Sequence, residues 1–197
     1  MKRLLLYVHF NKYDHISRHV FYQLEHMRPL FDKLVFISNS RLSESEVQKL
    51  RDKHLIDDFI QRENKGYDFA AWHDGMKFVG FDNLKQYDSV TVMNDTCFGP
   101  LWDLEPIYKR FEVDTQVDFW GMTNFRKTKY FEEHLQSYFV TFKQQILRSI
   151  SFQEFWTKVK DFTDVQDVID HYETKFTQYF TEVGFTYQAT FDTRLEE

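Results

Sequence analysis

The chain has 197 residues, a formal charge of -6 and no run of basic residues. It is long enough for a real hydrophobic core, and it lacks the electrostatic footprint of a nucleic-acid-binding protein. One cysteine, Cys97, excludes an internal disulfide and points to a reducing compartment, the cytoplasm. The N-terminal apolar run is too short for a signal peptide or a membrane span before His9 and Asn11 intervene. The aromatic content is high, with 22 Phe, 11 Tyr and 4 Trp. Most of these rings must build the core, and any left exposed suit sugar stacking or a partner surface.

Taken in chain order, the pattern alternates strand and helix, which predicts an α/β fold with a mostly parallel, Rossmann-like sheet and flanking helices. Leu4 to Phe10 predicts the first strand. His15 to Met27 predicts a helix, with Val20, Leu24 and Met27 at helical spacing and Pro29 ending it. Leu34 to Ser38 predicts a second strand, closed by Asn39 and Ser40. Ser43 and Glu46 form a capping box for a helix to about Lys53. Asp58 to Gln61 predicts a third strand, followed by a loop in which Gly66 permits a left-handed turn. Phe69 to Val79 predicts a helix with Trp72 and Met76 on one face. Ser89 to Met93 predicts a buried fourth strand that delivers Asn94, Asp95 and Thr96 to its end before Gly99 and Pro100 turn the chain.

Val117 to Met122 and Gln136 to Phe142 predict two further strands, separated by a polar and mobile stretch from Asn124 to Glu133. The C-terminal part reads as helical. Ser151 and Glu154 suggest a second capping box, and Val165 to Val183 carries a long amphipathic stripe stopped by Gly184. Phe185 to Phe191 alternates as a last strand. The expected organisation is one domain over residues 1–197, truncated or part of a longer protein.

Ligands of open α/β sheets bind at the carboxyl ends of the strands. There Asp95, flanked by an amide and a hydroxyl, suits a metal-bridged diphosphate, because hard divalent cations take oxygen ligands. The alternative is that Asp95 only caps a turn. Asn64, Lys65, Gly66 and Asp68 follow the third strand and could share that pocket, Lys65 reaching a phosphate and Asn64 a sugar or base. Asp68 could equally cap the helix that starts at Phe69. His9 and Asn11 after the first strand, and Ser38 and Asn39 after the second, face the same crevice, although turns use these residue types too. His15 and His19 stand four apart on a helix without a third zinc ligand at sensible spacing. Neither a P-loop nor a G-x-G-x-x-G fingerprint is present. A general base for an attacking hydroxyl would come from Asp118 or His134, with an ordinary strand-start role open for Asp118.

Four motifs in order carry a resemblance over nearly the whole chain. Asn64-x-Gly66-x-Asp68-Phe-Ala-Ala-Trp72, Met93-Asn-Asp-Thr-Cys-Phe-Gly-Pro100, Asp118-Phe-Trp-Gly121 and His134-Leu-Gln-Ser-Tyr-Phe139 resemble the rhamnan synthesis protein F family. That resemblance implies a GT-A-like glycosyltransferase that moves L-rhamnose from dTDP-L-rhamnose to a lipid-linked polysaccharide acceptor at the inner membrane face, with inversion. Asp95 then takes the metal-binding place of a D-x-D motif, holding Mg²⁺ or Mn²⁺, although Asn94 and Thr96 leave a single acid where two are usual. His9, Asn11, Ser38, Asn39, Asn64, Lys65, Gly66 and Asn94 would line the nucleotide-sugar side, and Asp68 would contact ribose or sugar. Asp118 would serve as base, and Trp102, Trp120 and Tyr138 would stack on acceptor sugars. A non-catalytic carbohydrate-binding or assembly domain, and a hydrolase using Asp95, are the alternatives.

Overall fold

The apolar runs of the sequence become the central strands of one sheet in the computed structural model, which describes residues 1–195. The strands are β1 (Arg3–His9), β2 (Lys33–Ser38), β3 (Asp58–Gln61), β4 (Ser89–Asn94), β5 (Phe119–Phe125), β6 (His134–Leu135), β7 (Phe139–Lys143) and β8 (Tyr187–Phe191). Their order is β3-β2-β1-β4-β7-β5-β6, with β8 added to β5. The four strands from β3 to β4 are parallel, in the register Val8 opposite Asn94 and His9 opposite Ser38. β7 runs antiparallel to both β4 and β5, so β5 again points the same way as β4, and β8 follows β5 in parallel. β6 is antiparallel to β5, so the sheet is mixed, with a parallel half and two reversed strands, β7 and β6.

β1 and β4 are buried along their whole length, as a sheet covered on both faces requires. One face packs Leu4, Leu6, Val8, Val35 and Val92 against α3 (Tyr67–Val79), α7 (Ile150–Thr157) and α9 (Phe176–Glu182). The other face packs Leu5, Tyr7, Phe36 and Met93 against α1 (Arg18–Met27), α2 (Glu44–Asp52) and α5 (Glu105–Val113). Short helices α4 (Phe81–Leu84), α6 (Gln144–Leu147) and α8 (Val165–Val168) complete the connections. Among the described residues, no helix is long and apolar enough to cross a membrane.

Several boundaries differ from expectation for local reasons. α1 begins at Arg18 rather than His15, because residues 10–17 form a loop in which Asn11 bonds Ser17 and Tyr13. Ser43 does cap α2, but the Glu46 carboxylate accepts from the Ile16 N–H instead of closing the box. α7 is capped by Ser149, whose hydroxyl accepts from Phe152 N–H, so Ser151 lies inside the helix. Of the strand expected over residues 136–142 only the second half forms, as β7 from Phe139; residues 136–138 turn the chain, and β6 lies just before them, paired with the end of β5. The end of β5 is fixed, since Asn124 is buried and bonds Glu133, Asp192 and Thr193.

The long C-terminal stripe is not one helix. A π turn, Ile169–Glu173, separates α8 from α9, with Thr174 N–H donating to Ile169 C=O. Tyr172 and Phe176, on either side of the end of that turn, both pack on Phe69, at ring separations of 5.5 and 6.1 Å.

Candidate functional site

Because β1 to β4 are parallel, their carboxyl ends place four polar segments side by side: His9–Asn11, Ser38–Ser40, Gln61–Asp68 and Asn94–Thr96. Asp95 is the centre of this edge. Its Oδ2 accepts from Phe10 N–H at 3.1 Å, and its carbonyl accepts from His19 Nε2–H at 3.1 Å. Burial pushes the Asp95 carboxyl up to about 7, with the nearby Asp68 charge adding to the shift and the Phe10 N–H opposing it.

Asp68 does not cap α3. The N-cap position is Gly66, with φ +67, and Asp68 stands in the first turn with Oδ2 accepting from Asn94 Nδ2 at 2.7 Å. Asn94 is oriented for this contact because its Oδ1 accepts from the Thr96 hydroxyl at 2.6 Å. Burial raises Asp68 to about 6; the Asn94 bond works against that shift, and Glu173 on the π turn adds to it. Thus the second carboxylate near Asp95 comes from another element, and the cluster is oxygen-rich.

On the same edge an open cleft of about 700 Å³ lies over the ends of β2 and β3. Asn39, Asn64 and Lys65 line it, together with Asp14, Arg41 and Arg62, which the sequence analysis did not single out. Lys65 Nζ pairs with Glu63 Oε2 at 2.6 Å, both side chains largely in solvent. Asn39 is held at both ends of its amide, Oδ1 by Arg62 Nη1 at 2.9 Å and Nδ2 by the Tyr67 carbonyl at 3.4 Å. Arg62 follows β3 directly, as Asn39 follows β2 and Asp95 follows β4, so the same rule of strand-end polarity points to it.

Other expected contacts are placed differently. His9 and Ser38 are fully buried and bonded to each other at 3.0 Å, the ring stacked on Phe36. Burial lowers His9 to about 4, so it is a neutral structural group beneath the edge rather than a ligand contact. Asn11 knits its own loop through Ser40 and Ser17.

The two expected bases part company. Asp118 sits at the start of β5, where its carboxylate accepts from Thr186 N–H at 2.9 Å. That is the opposite edge of the sheet, on the order of 20 Å from Asp95 along the strands. The parallel course of β4 and β5 forces this separation, and Asp118 is no part of the site. His134 is on the same edge as Asp95, paired across from Phe125 at the end of β5, with its side chain buried and its ring stacked on Phe125 at 5.3 Å. Its Nδ1–H donates to the Glu132 carbonyl at 2.9 Å, which leaves the lone pair of the neutral ring on Nε2.

An apolar hollow of about 320 Å³ opens next to Asp95 between the segment after β4 and the ends of β5, β7 and β8. Phe98, Leu101, Trp102, Tyr138 and Phe191 line it. Trp102 is half exposed, edge-on to Phe191, while the Tyr138 hydroxyl is bonded to Thr123. Trp120, by contrast, is in the core, stacked on Phe111 at 4.6 Å, and cannot meet an acceptor.

A mostly parallel sheet with β7 and β6 reversed, and a polar crevice at its carboxyl edge, defines a GT-A-like fold. Two solved structures share it at low sequence identity. A mannosyltransferase from Pyrobaculum calidifontis, PcManGT, in complex with GDP-Man and Mn²⁺, aligns with a TM-score of 0.51 at 12% identity, over 74% of this chain and 45% of that one. HddC from Yersinia pseudotuberculosis aligns with a TM-score of 0.58 at 11% identity, over 98% and 90%.

The chain belongs to the rhamnan synthesis protein F family, whose model matches residues 34–197. Relatives include an uncharacterized protein, y4gN, of Sinorhizobium fredii, 31% identical over 84% of this chain. Another is the virulence protein VirA of Vibrio anguillarum, 29% identical over 77%. The chain covers 43% and 46% of these relatives, less than half their length.

Proposed function

We propose that the chain transfers L-rhamnose from dTDP-L-rhamnose to a lipid-linked rhamnan chain, with inversion, at the inner face of the membrane. The observation that carries the donor side is Asp95, a half-buried carboxylate of raised pKa at the carboxyl end of β4, on the same sheet edge as an open polar cleft over β2 and β3. The family supports rhamnose as the sugar, and a neighbour of the same fold was solved with a nucleotide-sugar and Mn²⁺.

The donor set fits a hard divalent cation. Asp95 and Asp68 offer two carboxylates, both raised chiefly by burial, with the Asp68 charge adding to the Asp95 shift. Among the described residues no group of three His, Cys, Asp or Glu forms a ready cage, so the diphosphate and water would complete the coordination. Asp95, with Asp68 beside it, would hold Mg²⁺ or Mn²⁺, which offsets charge on the leaving diphosphate. Asn39, Asn64, Lys65 and the backbone at Gly66 bind the nucleotide side, and Asn94 holds Asp68 in place. Trp102 and Tyr138 receive the acceptor in the apolar hollow. His134 Nε2 takes the proton of the attacking hydroxyl.

The test is calorimetric titration with dTDP and dTDP-L-rhamnose, with and without Mn²⁺, on the chain and on Asp95→Ala. Metal-dependent binding that disappears in the variant is the expected result. A folded chain that binds no nucleotide under any condition overturns the donor site. In the same series His134→Gln should keep its dTDP affinity while turnover falls by about 10²-fold or more. Unchanged turnover removes His134 from the mechanism.

A further inference from the structure

We propose that Arg62 is a positioning residue of the donor site, holding the loop from Glu63 to Tyr67 in the one conformation that sets Asn64 and Lys65 on the cleft and Asp68 beside Asn94. This rests on the donor site described above. The Arg62 guanidinium is 9% exposed and joins four separate segments. Nε donates to Asp74 on α3 at 2.7 Å. Nη1 donates to Asn39 after β2 and to the Lys65 carbonyl inside the loop, each at 2.9 Å. Nη2 reaches Asp161 of the C-terminal part at 3.4 Å. A planar guanidinium has enough donors, at fixed angles, to serve all four at once, whereas an ammonium is a point charge with no such fork.

The loop needs this support. Gly66 and Tyr67 are both left-handed, with φ of +67 and +50, and a tyrosine does not adopt that conformation without restraint. The C-terminal segment supplies a second restraint. Gly66 N–H donates to the Phe162 carbonyl at 2.7 Å and the Tyr67 hydroxyl to the Thr163 carbonyl at 3.2 Å. Arg62 ties that segment, through Asp161, to the same loop. Asp68 is the next residue after the strained pair, so relaxation of Tyr67 to negative φ swings the Asp68 carboxylate away from Asn94. Asn39 loses its orientation in the same event, because Arg62 holds its Oδ1.

The test compares the chain with Arg62→Lys and Arg62→Met by three measurements: thermal unfolding, amide hydrogen exchange of residues 63–68, and calorimetric titration with dTDP and Mn²⁺. Arg62→Lys is expected to melt close to the parent, to exchange faster in residues 63–68 alone, and to bind dTDP·Mn²⁺ about tenfold more weakly, the usual scale for an outer-shell partner. Arg62→Met should lose more. If it fails to fold, Arg62→Lys decides. Unchanged affinity in Arg62→Lys despite a loosened loop reduces Arg62 to a structural role and overturns the proposal, as does an unchanged exchange pattern. Failure of the parent itself to bind any nucleoside diphosphate is a different result, which removes the donor site and this inference with it.

Discussion

Asp95 carries a conflict that only a ligand resolves. Its carboxyl titrates at about 7 and that of Asp68 at about 6, against an ordinary value near 4. The folded chain therefore holds more protons than the unfolded chain between about pH 4 and 7. The stability these groups contribute is fully present below the unfolded pKa and is lost as pH rises through the folded values. Asp95→Asn removes the charge and keeps an acceptor for Phe10 N–H. At pH 8 without metal the variant should be more stable than the parent by about 1–2 kcal/mol, a value discounted for the partial solvent access of Asp95. A lower melting temperature for the variant at that pH contradicts the electrostatic assignment. A divalent cation reverses the balance by displacing the proton. Affinity for metal-bound dTDP should accordingly increase from pH 6 to 8, and calorimetry at three pH values checks it.

At the scale of elements, the turn between β3 and α3 is the most constrained joint in the fold. A Cβ on Gly66 would stand 2.4 Å from the Ala70 Cβ and 3.0 Å from the Asp161 Cα, at a φ that L-residues avoid. Gly184 has a similar positive φ of +99 but open space around it. Gly66→Ala should therefore cost about 2–4 kcal/mol, and Gly184→Ala about 1 kcal/mol from conformation alone. Urea unfolding of both variants measures the difference, and equal losses would show that the close approach of the 160s segment carries no energy. The π turn also carries Glu173, whose charge adds to the raised Asp68 carboxyl.

Across the whole molecule, the C-terminal third is part of the core and not an appendage. Phe180 packs on Phe119, Phe142 and Phe152, and β8 pairs with β5 along Phe119–Thr123. Removing residues beyond 160 uncovers one face of the sheet and strips β5 of a neighbour. The shortened chain should lose near-UV circular dichroism and unfold without a cooperative urea transition. A sharp transition at the parent midpoint would mean that the parallel half folds alone. Much of this architecture was legible in the chain. Unbroken apolar runs marked β1, β2 and β4, and β3 was placed at its observed bounds, because strand identity follows from local pattern and turn residues. The π turn was not legible, since its apolar spacing reads as continuous helix.

The sequence by itself determined which residues end the parallel strands, and so brought Asn39, Asn64, Lys65, Asp68, Asn94 and Asp95 to one edge. Strand ends are local events, written in the change from apolar to polar residues and in Gly66. Only the tertiary structure decided what those ends face. One reversed strand, β7, returns β5 to the direction of β4 and so carries Asp118 to the far edge while leaving His134 at the near one. Burial sorted the rest, sealing His9 and Trp120 inside and leaving Trp102 open. Arg62 acquired its meaning from four partners up to 99 residues away. Strand direction, layer and depth are long-range quantities, and no window of sequence contains them.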